Sequence, residues 1–144
     1  MGSRRRAREH ALQILYQVDA GAGELTEVLD VFWDEPDPDD EGVLFTGRLA
    51  RGVIEHRDDL DRIIEEHSIN WRLSRMPAVD RNILRLAVYE ILHCEDIPAM
   101  VSINEAIDLG KHFSTGESGA FINGILDKIS KNEELLPQPE EQGE

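Results

Sequence analysis

Apolar residues recur at three- and four-residue steps along most of the 144 residues, and no segment alternates as a half-buried strand must. That period restricts the chain to helices packed on helices. A first helix is expected from about Arg5 to Ala20, where Ala7, Ala11, Ile14, Leu15 and Val18 make one stripe and Gly21-Ala22-Gly23 ends it. A short helix, roughly Leu25 to Trp33, precedes an acidic, proline-broken loop from Asp34 to Asp40. A long helical region from about Glu41 to His67 buries Leu49, Val53, Leu60, Ile63 and Ile64; its Gly52 either admits a close neighbour or weakens the helix. After a connector from Ser68 to Met76, Pro77 suits the first turn of a helix reaching Cys94.

The arc of Val79, Ile83, Leu84, Leu86, Ala87, Val88, Ile91 and Leu92 is the widest in the chain, which makes Pro77 to Cys94 the expected central helix. Its polar strip, Asp80, Arg81, Arg85 and Tyr89 with Glu90 beside it, is expected to face outward. Ser102-Ile103-Asn104-Glu105 has the capping-box form and opens a helix that ends at Ser114-Thr115-Gly116. A last helix, roughly Ser118 to Ser130, packs Ile122, Ile125, Leu126 and Ile129. The expected fold is all-α, a compact single-domain bundle of about seven helices, followed from residue 132 to 144 by an acidic, disordered tail.

Several function classes drop out. No apolar run approaches the ~18 residues of a membrane span, and the basic start has no apolar signal core behind it, so a cytoplasmic protein is expected. A single cysteine, Cys94, allows neither an internal disulfide nor a cysteine-based zinc cage. Gly110-Lys111 lacks the P-loop pattern, the five histidines show no HExxH spacing, and no nucleophile elbow appears. No catalytic constellation, metal or cofactor is expected.

The net charge is −15, which repels polyanions in bulk. Its distribution is uneven. Arg4, Arg5, Arg6 and Arg8 concentrate cations at one end of an acidic body. Arginine presents a planar fork that fits phosphate oxygens, so this cluster is a candidate RNA contact; a solvated basic terminus is the plainer alternative. Tyr16 lies nine residues beyond Ala7, hence about half a rotation from the apolar stripe, and points off it, either to stack on a base or to pack under a neighbouring helix or against a protein partner. The turn from Ser114 to Gly119 opens a helix whose free N–H groups could hold a phosphate, with Lys111 and Phe121 close in sequence and Glu117 opposing. In isolation it reads first as an ordinary helix connection.

Three stretches together resemble the NusB family. They are Arg4-Arg5-Arg6-Ala7-Arg8-Glu9 with Ala11-Leu12-Gln13-Ile14-Leu15-Tyr16; Val79-Asp80-Arg81-Asn82-Ile83-Leu84-Arg85-Leu86-Ala87-Val88-Tyr89-Glu90-Ile91-Leu92; and Ile97-Pro98 through Ile103-Asn104-Glu105-Ala106-Ile107-Asp108-Leu109 with Phe121-Ile122-Asn123-Gly124-Ile125-Leu126-Asp127-Lys128. The resemblance spans residues 1–131. It implies two packed helical subdomains sharing one core, and an antitermination factor that binds boxA RNA of ribosomal RNA leader transcripts with NusE, helping RNA polymerase resist termination. It places RNA contacts at Arg4, Arg5, Arg6, Arg8, Tyr16, Lys111, Glu117 and Phe121, and NusE contacts at Tyr16, Asp80 and Arg85. Some family members form homodimers, and the resemblance leaves this open here. NusB-like domains also occur fused to RNA methyltransferases; with no glycine-rich cofactor loop and no room for a second catalytic domain, the stand-alone factor is expected. The rival from another class is a helical protein-interaction module whose working surface is the acidic body.

Overall fold

The computed structural model describes residues 2–69, 72–115 and 117–135, and among these every regular element is helical. Seven α-helices follow in order: α1 Gly2–Asp19, α2 Leu25–Phe32, α3 Glu41–Glu55, α4 Arg57–Glu66, α5 Ala78–His93, α6 Ala99–Phe113 and α7 Ser118–Ser130, with one 3₁₀ turn at Leu73–Arg75. Gly21 and Gly23 take positive φ, 87° and 149°, where side chains are strained, and so end α1 as the sequence implied. Asp40 caps α3 by accepting from the N–H groups of Gly42 (2.7 Å) and Val43 (3.1 Å). No described helix is long and apolar enough to cross a membrane.

The helices form two sets. α1 packs on α2 and α3, while α4 to α7 pack on one another, and α5 joins the sets by touching α1 and α3 as well as α4, α6 and α7. One core runs through both, from Ala11, Leu15 and Leu49 to Leu84, Ile122 and Ile129; a smaller cluster of Ile14, Val28, Leu29 and Ala50 ties α2 down. Gly52 does admit a close neighbour. A Cβ there would lie 2.0 Å from Tyr89 Cζ, so the α3–α5 contact requires glycine. Cys94 is buried beside it, and burial pushes its thiol up to about 11, leaving it an inert filler.

Three local expectations change. The region expected as one helix from Glu41 to His67 breaks at His56, which turns Leu60, Ile63 and Ile64 of α4 into the core. α6 begins at Ala99, behind Pro98, instead of at Ser102. Ser102 is therefore buried inside the helix and donates to Glu90 Oε1 (2.8 Å), and Glu105 pairs with arginines of α1, so the capping box does not form. Beyond α7, Leu135 still packs on the core; residues 136–144 of the acidic tail lie outside the described residues, as do Trp71 and Gly116.

Candidate nucleic-acid and partner interface

Side chains of α1 and α6 meet at two places. Arg5 of α1 meets Glu105 and Asp108 of α6, and eleven residues further along α1 Tyr16 shares a cleft with Phe113 at the end of α6. At about 1.5 Å per residue these two points are roughly 16 Å apart along α1.

The four expected arginines separate sharply. Arg4, Arg5 and Arg6 are exposed on the first turns of α1. Arg4 lies over the Phe45 ring at 4.3 Å and reaches Asp96 at 3.6 Å. Asp96 is itself held by Arg48 (2.8 Å), whose hydrogen bond outweighs the opposing desolvation and brings its carboxyl down to about 2. Arg5 donates through Nε and Nη2 to both oxygens of Glu105 (3.2 and 2.8 Å), and Nη2 also reaches Asp108 (3.0 Å). Arg6 has no carboxylate partner among the described residues.

Arg8 behaves differently. It is only 4% exposed and donates through Nε and Nη2 to the two oxygens of Glu90 (2.8 and 2.9 Å). The expectation that Arg8 offers its fork to phosphate is corrected: it sits on the apolar flank of α1, and α5 supplies the counter-charge there.

Tyr16 is 44% exposed, as its angular position implied. With Leu12, Gln13, Gln17, Val79 and Phe113 it lines a largely apolar cleft of about 250 Å³. Phe113 is itself a large exposed apolar side chain that sequence reasoning passed over; its place after Lys111 and His112 at a helix end was the only available signal. Lys111 and Glu117 are exposed near the α6–α7 turn, and Phe121 is half-buried against the core.

Asp80 and Arg85 are corrected too. Asp80 is 5% exposed and accepts from the hydroxyls of Ser114 and Ser118, the latter at 3.0 and 3.1 Å, thereby holding the α6–α7 turn. Arg85 is buried and donates to Asp61 (2.7 and 3.0 Å), with Asp19 at 3.3 Å. Burial alone would raise the Asp19 carboxyl, but hydrogen bonds from Asn82 and Arg81 and the charges of Arg81 and Arg85 bring it below the usual range. The strip expected to face solvent is instead the seam between α5 and its neighbours. Among the described residues no group of three or more His, Cys, Asp or Glu side chains could hold a metal.

A single-strand phosphate could meet Arg4, Arg5 and Arg6 at one end of the α1–α6 face, while the other end offers an aromatic cleft. The family model described as the NusB family matches residues 5–131. The chain belongs to the NusB family. A transcription antitermination protein NusB of Desulfatibacillum aliphaticivorans is 57% identical over 129 residues, covering 90% of each chain. Among solved structures, NusB of T. maritima is similar with a TM-score of 0.82 at 38% identity, covering 90% of this chain and 91% of that one. A structure of antitermination factors NusB and NusE in complex with double-stranded RNA contains a chain with a TM-score of 0.81 at 27% identity, covering 91% of this chain and 98% of that one. For this NusB-family chain, the matched span takes in Arg5 and Arg6 as well as Tyr16 and Phe113.

Proposed function

We propose that this chain is a transcription antitermination factor that binds boxA RNA of ribosomal RNA leader transcripts together with NusE. It acts in the cytoplasm as a binding adaptor, without catalysis, and helps RNA polymerase resist termination. The observation that carries the reading is the α1–α6 face: three exposed arginines at one end and the Tyr16–Phe113 cleft at the other, in a chain 57% identical to a relative named an antitermination protein. Arg4, Arg5 and Arg6 hold phosphates, and Lys111 extends the cationic line. The apolar cleft takes a NusE side chain, while Asp80 and Arg85 act indirectly by fixing the α6–α7 turn and the α5 seam. The acidic remainder repels other polyanions, which restricts RNA to this face.

The test is fluorescence anisotropy with labelled boxA RNA, with and without NusE, at two salt concentrations. Binding should weaken steeply with salt, strengthen with NusE and fail with a scrambled RNA. Arg6→Ala should flatten the salt slope by about 0.7, the loss of one single-strand phosphate contact. Absence of RNA binding by the folded protein in every condition, with NusE still bound, would replace this reading with the protein-interaction module.

A further inference from the structure

Of the three exposed arginines, Arg5 alone is held by two carboxylates of its own chain. Glu105 takes Nε and Nη2, and Asp108 takes Nη2 a second time. The two acids are not equivalent. The Glu105 side chain is 18% exposed and also lies 3.8 Å from the buried Arg8, so it is fixed from behind. The Asp108 side chain is 40% exposed, and its one ion pair among the described residues is with Arg5. Glu105 therefore aims the guanidinium, and Asp108 occupies the place on it that a phosphate oxygen would take.

We infer that Asp108 is an affinity-setting residue for RNA, an internal anion that an incoming phosphate must displace from Arg5. This rests on the RNA-binding reading of the α1–α6 face. An exposed ion pair is weak in water, so the displacement is easy for a correctly placed phosphate. A polyanion that cannot place a phosphate at Arg5 leaves the pair closed and gains nothing from that arginine. The device thus favours RNA that fits over polyanions that merely approach.

The experiment is an anisotropy titration of boxA RNA, with NusE present, against wild type, Asp108→Asn, Arg5→Ala and the double variant, with circular dichroism to confirm folding. Asp127→Asn, on α7 and paired with Lys131 instead of an α1 arginine, controls for simple loss of one negative charge. Asp108→Asn should bind about three- to fivefold tighter at low salt, the factor corresponding to one exposed pair, and the gain should shrink as salt rises. In the Arg5→Ala background Asp108→Asn should change affinity by less than about twofold, because its effect passes through Arg5. Unchanged affinity in Asp108→Asn overturns the inference. So does an equal gain in the Arg5→Ala background or from Asp127→Asn, which would be a field effect alone. Each of those results leaves RNA binding itself standing, whereas no RNA binding by any variant removes both conclusions.

Discussion

The Arg8 guanidinium meets the Glu90 carboxylate through two parallel contacts, 2.8 and 2.9 Å, with both side chains almost wholly excluded from water. Ser102 donates to the same carboxylate at 2.8 Å, so α1, α5 and α6 converge on one buried charge pair. Such a pair contributes little net stability, but removing one partner strands the other charge in the core. Glu90→Ala should therefore cost about 3–5 kcal/mol in urea unfolding, whereas an apolar replacement of both, Arg8→Met with Glu90→Leu, should come close to neutral. A loss below about 1 kcal/mol for Glu90→Ala would show that water reaches the pair.

Gly52 and Tyr89 set the α3–α5 distance. With Tyr89 Cζ 2.0 Å from the position of an added Cβ, Gly52→Ala must push the ring outward. The expected loss is about 1–3 kcal/mol of unfolding free energy. In a Tyr89→Ala background the same substitution should become neutral or stabilising by up to about 1 kcal/mol, the helix propensity gain of alanine over glycine. Equal costs in both backgrounds would place the strain elsewhere.

Asp80 anchors the start of α7 through Ser114 and Ser118. Asp80→Ala leaves two hydroxyls without their charged acceptor and should cost roughly 2–3 kcal/mol. Because the turn it holds adjoins Phe113, hydrogen exchange should rise first at residues 113–115 and 117–119. Protection there equal to wild type would mean that Asp80 is not the anchor.

His93 stacks on His56 with ring centroids 4.2 Å apart, and on Tyr89 at 5.2 Å. Burial first, and the neighbouring His56 second, lower its pKa below 6.5, with Asp59 acting in the opposite direction. The fold thus favours neutral His93. That contribution to stability is full above pH 6.5 and is lost as the pH falls towards and through the lower folded value. An NMR titration should place the His93 midpoint under 6.5 and move it upward in His56→Ala. A wild-type midpoint at or above 6.5 would contradict this.

Much of the candidate site was legible in the sequence. The exposure of Tyr16 followed from its angle to the apolar stripe, and the solvent position of Arg4, Arg5 and Arg6 from their place ahead of it. The roles of Arg8, Asp80 and Arg85 were not legible. Each is polar and lies beside an apolar arc, and the sequence does not say whether that flank is open or covered. Phe113 escaped notice for the opposite reason: an apolar residue at a helix end looks like core until the end proves to project past its neighbours.

What the sequence by itself determined is the all-helical class, the apolar face of each helix, the stop at Gly21 and Gly23, and α5 as the centre, because these depend on periodicity and local backbone preference. What only the tertiary structure decided is the fate of the charges. Five helices pack around α5, so its polar strip is covered as well as its apolar arc. Those charges are met by residues far away in the chain, Glu90 by Arg8, Arg81 by Asp19, Arg85 by Asp61. A buried charge needs a partner of opposite sign at hydrogen-bond distance, and which residues come that close is fixed by how the helices cross.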